Sequence, residues 1–104
     1  MKFVFQYNAY LLFSNYNMHM YYVYILKSVR QENRIYIGCT KDLSKRLKYH
    51  NAKLVPSTKA YTPFEIETYF AFKNKILAFN FEAYLKTSSG RAFLNKRLIK
   101  RDEN

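Results

Sequence analysis

The run Tyr21-Tyr22-Val23-Tyr24-Ile25-Leu26-Lys27, followed by Arg34-Ile35-Tyr36-Ile37-Gly38, decides the fold. The first run is rich in β-branched and aromatic residues and apolar on both faces, as a central strand requires. The second is a shorter strand of the same kind. Val29 to Asn33 between them is polar and turn-like, so the two runs predict a hairpin closed by a loop of about five residues.

Working outward, Thr40 or Asp42 can cap a helix that runs to about Asn51. Residues 52–63 read as a loop marked by Pro56 and Pro63. Phe64 to Phe72 alternates, with Phe64, Ile66, Phe70 and Phe72 on one face and Glu65, Glu67 and Tyr69 on the other, which predicts a half-buried strand. A second helix is expected over Lys75 to Thr87, a break at Ser88-Ser89-Gly90, and a third helix over Arg91 to Lys100. The order is β-β-α-β-α-α, an α/β (α+β) arrangement.

Composition sets the class of partner. The chain has 104 residues, enough for one domain, and a formal net charge of +11. Such a charge favours polyanions, nucleic acid before an anionic membrane surface. The 11 Tyr and 9 Phe must largely fill the core, and some can stack on bases. The single cysteine, Cys39, excludes an intrachain disulfide and a cysteine-based zinc site, and makes the cytoplasm the natural compartment. Residues 1–19 read differently: Lys2 is their one charged group, and Phe3 to Phe13 is apolar but interrupted by Gln6 and Asn8. That stretch is too short to span a bilayer and lacks a small-x-small cleavage site. Met20 looks like a natural start, so residues 1–19 are expected to be an extension outside the working fold. The alternative is an edge strand or an interaction arm.

Three side chains stand out by position. On the first helix, at about 100° per residue, His50 falls about 40° from Arg46, beside Leu43 and Leu47. Arg46 and His50 therefore border the stripe that docks on the sheet, while Lys45 and Lys48 point elsewhere. Alone, Arg46 could simply cover the core edge with its stem, and His50 could answer the helix dipole. Together, next to a tyrosine-bearing strand, they indicate a site. On the second helix Ala78, Phe81, Leu85 and Ser89 form the inward stripe, and Glu82 lies about 40° from Ala78, within it. A carboxylate there must be paired, hydrogen-bonded or bound to a metal. An inward lysine or arginine would serve; as a metal ligand, one carboxylate suits Mg²⁺, which keeps most of its waters.

These residues resemble the paired signature of the GIY-YIG nucleases: Tyr22-Val23-Tyr24, then Tyr36-Ile37-Gly38. The likeness continues through Thr40-Lys41-Asp42-Leu43, Lys45-Arg46-Leu47, His50-Asn51, Ser57-Thr58-Lys59, Pro63-Phe64, Glu82, Leu85-Lys86 and Gly90-Arg91. It covers residues 20–99, leaving 100–104 as a polar tail. The chain looks like the small stand-alone bacterial members, which are similar to the catalytic domain of excision-repair nucleases and of some homing endonucleases. The resemblance implies a small three-stranded antiparallel sheet flanked by helices. It implies a metal-dependent DNA endonuclease, structure-directed or weakly specific, with a place in DNA repair. Tyr36 would take or relay a proton from the attacking water and Tyr24 would position that water or the phosphate. Arg46 would hold the scissile phosphate, His50 would lie near the attacking or leaving oxygen, and Glu82 would ligate Mg²⁺ or Mn²⁺. Lys41, Lys45, Lys48, Lys53, Lys59, Lys86 and Arg91 would contact the nucleic-acid backbone. A monomer or weak dimer is expected, with no membrane and no small-molecule cofactor beyond the metal. The chain departs from the pattern at Tyr22, where many members have glycine, at Cys39, where the repair nucleases have lysine, and in the apolar run 76–81. The alternative is a non-catalytic nucleic-acid-binding module on the same scaffold.

Overall fold

The structure, a computed structural model, describes residues 19–100. The proposed extension over 1–19 and tail over 100–104 lie outside the described residues, except for His19 and Lys100.

Three strands and three helices follow the expected order: β1 (Tyr21–Ser28), β2 (Ile35–Thr40), α1 (Leu43–Asn51), β3 (Phe64–Phe72), α2 (Lys75–Leu85) and α3 (Ser88–Arg97). The strands make one antiparallel sheet in the order β2-β1-β3. The first of the described strands is thus the central one, which explains why it is apolar on both faces: Val23, Tyr24, Ile25 and Leu26 are all buried. Arg34 falls in the hairpin loop instead of the strand, and its carbonyl accepts from the Ser28 N–H at 2.9 Å. Asp42 is the cap of α1, accepting from the Lys45 N–H at 3.0 Å. Thr40 in turn accepts from the Asp42 N–H and steadies the entry. The loop after α1 contains one 3₁₀ turn, Lys59–Tyr61.

Two expectations need correction. The alternation along β3 does not put its four large apolar residues on one face. A bulge between Ile25 and Leu26 of the register pairs Ile25 with Thr68 but Leu26 with Ile66. The extra residue shifts the parity of the strand, because side chains alternate with period two. Phe64 and Ile66 join Tyr24, Leu26, Tyr36, Leu43 and Leu47 under α1. Phe72 joins Val23, Ile25, Ile37, Ala78, Leu85 and Leu94 under α2 and α3, and Phe70 meets the Phe81 ring at 4.8 Å. Helices therefore pack against both faces of the sheet.

The second correction concerns Ser88-Ser89-Gly90, which begins α3 instead of breaking the chain. The Thr87 hydroxyl donates to the Tyr84 carbonyl at 2.6 Å and accepts from the Gly90 N–H at 3.1 Å. One side chain thus ends α2 and starts α3. Ser89 consequently leaves the α2 stripe and is exposed.

Candidate active site

β1 and β2 bring Tyr24 and Tyr36 to the sheet face that α1 covers. The register pairs Tyr24 with Gly38 and Tyr36 with Leu26, so the two tyrosines are diagonal neighbours, with ring centroids 6.2 Å apart. Gly38 gives Tyr24 its path: a Cβ at that position would overlap the Tyr24 hydroxyl. The glycine is there for close approach, not for an unusual backbone angle. Tyr24 is buried while Tyr36 keeps partial exposure.

The Tyr24 hydroxyl is the hub. It lies 3.1 Å from His50 Nε2, and Arg46 Nε donates to it at 3.4 Å. His50 is fully buried, and its Nδ1 stands 2.9 Å from the Thr58 hydroxyl. Thr58 donates onward to the Val55 carbonyl at 3.3 Å. With that proton committed, the Thr58 oxygen accepts from Nδ1–H, and the free lone pair of Nε2 accepts from the Tyr24 hydroxyl. The chain Arg46–Tyr24–His50–Thr58–Val55 then satisfies each member, and among the described residues no buried side-chain polar atom lacks a partner. Tyr36 leans on the His50 ring, centroids 4.7 Å apart, and is one of the groups that favour the charged Arg46 guanidinium, after Tyr24.

Electrostatics follow from this burial. Desolvation pushes the Tyr24 hydroxyl above its ordinary value, opposed by the bond from Arg46. Burial, assisted by the Arg46 charge, pulls the His50 pKa down, so the imidazole is neutral at pH 7. Arg46 lines an open cleft with Thr40, Asp42, Lys45 and Tyr49. The one ion pair among the described residues is elsewhere, so no described carboxylate is ion-paired with Arg46; Asp42, in the same cleft, is engaged as the α1 cap.

Tyr24, Tyr36, Arg46 and His50 are thus brought together. Glu82 is not in direct contact with them. It sits half-buried on α2, and Lys86 holds its Oε2 at 3.2 Å, one helical turn on. Its charge still reaches the cluster: after burial, it is a further cause of the raised Cys39 thiol, and it also raises Tyr24. Among the described residues no three His, Cys, Asp or Glu side chains converge, so no all-protein metal cage exists there. A single half-exposed carboxylate completed by water and phosphate oxygens remains a donor set that fits Mg²⁺. An exposed i,i+4 pair holds Glu82 by only about 0.3–0.5 kcal/mol, little hindrance to rebinding.

The seven expected backbone-contacting residues are all exposed. Lys41, Lys45 and Lys48 flank the Arg46 cleft or share its helix, with Lys45 over the Tyr49 ring. Lys53 and Lys59 lie in the following loop. Lys86 and Arg91 belong to the helical layer on the other side of the sheet. Sequence reasoning gave no role to two supports. Thr58 fixes the His50 ring, and Asn51 bonds both Phe64 N–H (2.7 Å) and Phe64 carbonyl (3.0 Å), tying the end of α1 to β3. The signal was present, since both residues fall within the motif stretches His50-Asn51 and Ser57-Thr58-Lys59.

The model of the family described as the GIY-YIG catalytic domain matches residues 20–97. No curated protein matches the chain.

Proposed function

This chain belongs to the GIY-YIG family, and from that premise we propose that it is a metal-dependent DNA endonuclease. The observation that carries the reading is an arginine with no carboxylate partner among the described residues, held by a buried tyrosine in an open cleft. Arg46 would grip the scissile phosphate and offset the charge that grows on it. Tyr36 is the tyrosine that solvent can reach, so it takes the proton from the attacking water. The Arg46 charge near it would offset the negative charge that develops as the proton leaves. Tyr24 is sequestered and its raised pKa keeps it protonated, so its part is to hold Arg46 and His50 in place. His50 is buried with both nitrogens engaged, and acts through Tyr24 instead of touching the leaving oxygen. Glu82 would hold Mg²⁺ or Mn²⁺, which when bound polarises the phosphate and eases departure of the 3′ oxygen. The exposed lysines offer contacts to phosphates, which carry no sequence information, so cutting is structure-directed or weakly specific. A cytoplasmic role on DNA, including repair, fits this reading; among the described residues no helix is long and apolar enough to cross a membrane.

The test is nicking of supercoiled plasmid with Mg²⁺ or Mn²⁺, beside an EDTA control. The wild type should nick and EDTA should stop it. Tyr36→Phe and Glu82→Gln should abolish nicking with melting temperatures intact. A Glu82→Gln protein that nicks at the wild-type rate removes Glu82 from the mechanism. The second reading, a non-catalytic module, is favoured by the Lys86 partnership of Glu82. It predicts salt-sensitive DNA binding with no cutting in any metal.

A further inference from the structure

The sheet face that carries the tyrosine cluster is not fully covered. α1 lies over Tyr24, Leu26, Tyr36, Phe64 and Ile66. Beyond it, Tyr22 and Tyr69 stand on the same face, since Tyr22 is two residues from Tyr24 and Tyr69 is the β3 partner of Tyr24. Their rings meet edge to face at 5.9 Å. Tyr69 is 54 % exposed, and Ala71, opposite Tyr22, is too small to shield it. Lys41 lines a groove with Tyr21 and Tyr22 at the same end, its Nζ resting over the Tyr21 ring at 5.4 Å, within reach of the sheet edge. An open aromatic pair beside the hub tyrosine, on a chain with net charge +11, suits an occupant that is both flat and anionic.

We propose that Tyr22 and Tyr69 form a stacking platform for unpaired nucleobases of a single-stranded segment next to the bound phosphate. This rests on reading the cleft as a nucleic-acid phosphate site. Bases within a duplex stack on one another and cannot offer a face to a side chain. Unpaired bases can, and every base has a π face, so the platform selects strandedness and not sequence. Tyr69 lies on an edge strand, so a strand can pass over it without displacing α1. Arg46 and Lys41 would then hold phosphates while the rings hold bases, and the substrate class becomes a single strand, an overhang or a flap.

The experiment is fluorescence-anisotropy titration in EDTA, where nothing is cut. The probes are a mixed-sequence DNA oligonucleotide, its duplex, and an abasic strand of equal length and charge. The wild type should bind the intact strand more tightly than the abasic one. Tyr69→Ala should lose about tenfold on the intact strand, within the range for one stacked base. It should lose less than about twofold on the duplex and the abasic strand, where only phosphates are held. Tyr22→Phe and Tyr69→Phe keep the rings and should bind as wild type. Equal affinity of the wild type for intact and abasic strands overturns the proposal without any variant. So does a Tyr69→Ala protein that binds all three probes as before, or loses equally on all three. Strand-selective binding without nicking defeats the nuclease reading alone, and nicking without strand selectivity defeats the platform alone.

Discussion

Thr58 has no chemistry of its own, yet it determines which nitrogen of His50 carries the proton. Replacing it with valine keeps the volume and removes the hydroxyl, leaving His50 Nδ1 buried without a partner. Thr58→Val should cost about 1–3 kcal/mol of stability and lower nicking, while Thr58→Ser should restore both. Nitrogen chemical shifts of the His50 ring should change in the valine variant and not in the serine one. The same imidazole sets a pH limit. Its folded pKa lies below the unfolded value of about 6.5, so below that pH the unfolded chain binds more protons than the native one. Stability is therefore full above about pH 6.5 and declines as pH falls toward the folded value. Thermal melts across this range should show the decline, and His50→Gln should flatten it. Arg46, His50 and the tyrosines were legible because helix and strand periods place side chains by number alone. The partner of Glu82 was not. An angle on a helix places a carboxylate near a core but does not say that Lys86, one turn on, will claim it.

At the scale of elements, Gly90 makes the elbow between α2 and α3 possible. A Cβ there would run into the Tyr84 carbonyl and come within 2.7 Å of the Leu85 Cα, which are backbone atoms that cannot turn aside. Gly90→Ala should push α3 off α2 and cost about 1–3 kcal/mol. The melting temperature should fall by about 4–8 °C for each kcal/mol lost. Gly-to-Ala normally favours a helix, so a rise in melting temperature would mean that the contact is looser than it stands here. This elbow also shows where element boundaries escape the sequence. Ser-Ser-Gly reads as punctuation, and only the double use of the Thr87 hydroxyl turns it into a helix start. The bulge in β3 escaped for a related reason. Alternation predicts one face for the whole strand, and it carries no mark for a single residue that is skipped in pairing. The hairpin, the α1 cap and the bounds of β3 were readable because each is set by neighbours in sequence.

For the molecule as a whole, charge separates grip from chemistry. Lys48 is exposed and lies away from the sheet, while Arg46 is bonded to Tyr24. Arg46→Ala should lower nicking by about a hundredfold or more, as loss of an oxyanion-stabilising donor does elsewhere. Lys48→Ala should instead weaken DNA binding and reduce the slope of log affinity against log salt by about one. Measuring both variants at several salt concentrations tells them apart; equal losses of turnover would make Arg46 one more general contact.

The position of β1 has a consequence for how the protein comes to exist. Of the three described strands the central one is made first, and the strand that covers its second edge, Phe64–Phe72, is made after more than half of the domain. Until then Val23-Tyr24-Ile25-Leu26 presents an open, apolar edge, the arrangement most prone to pair with another chain. A polypeptide halted after the 3₁₀ turn would hold all of Tyr24, Tyr36, Arg46 and His50 and still be expected to aggregate. Fragments ending short of Phe72 should collect in the insoluble fraction, and the shortest soluble product should be one that completes the sheet.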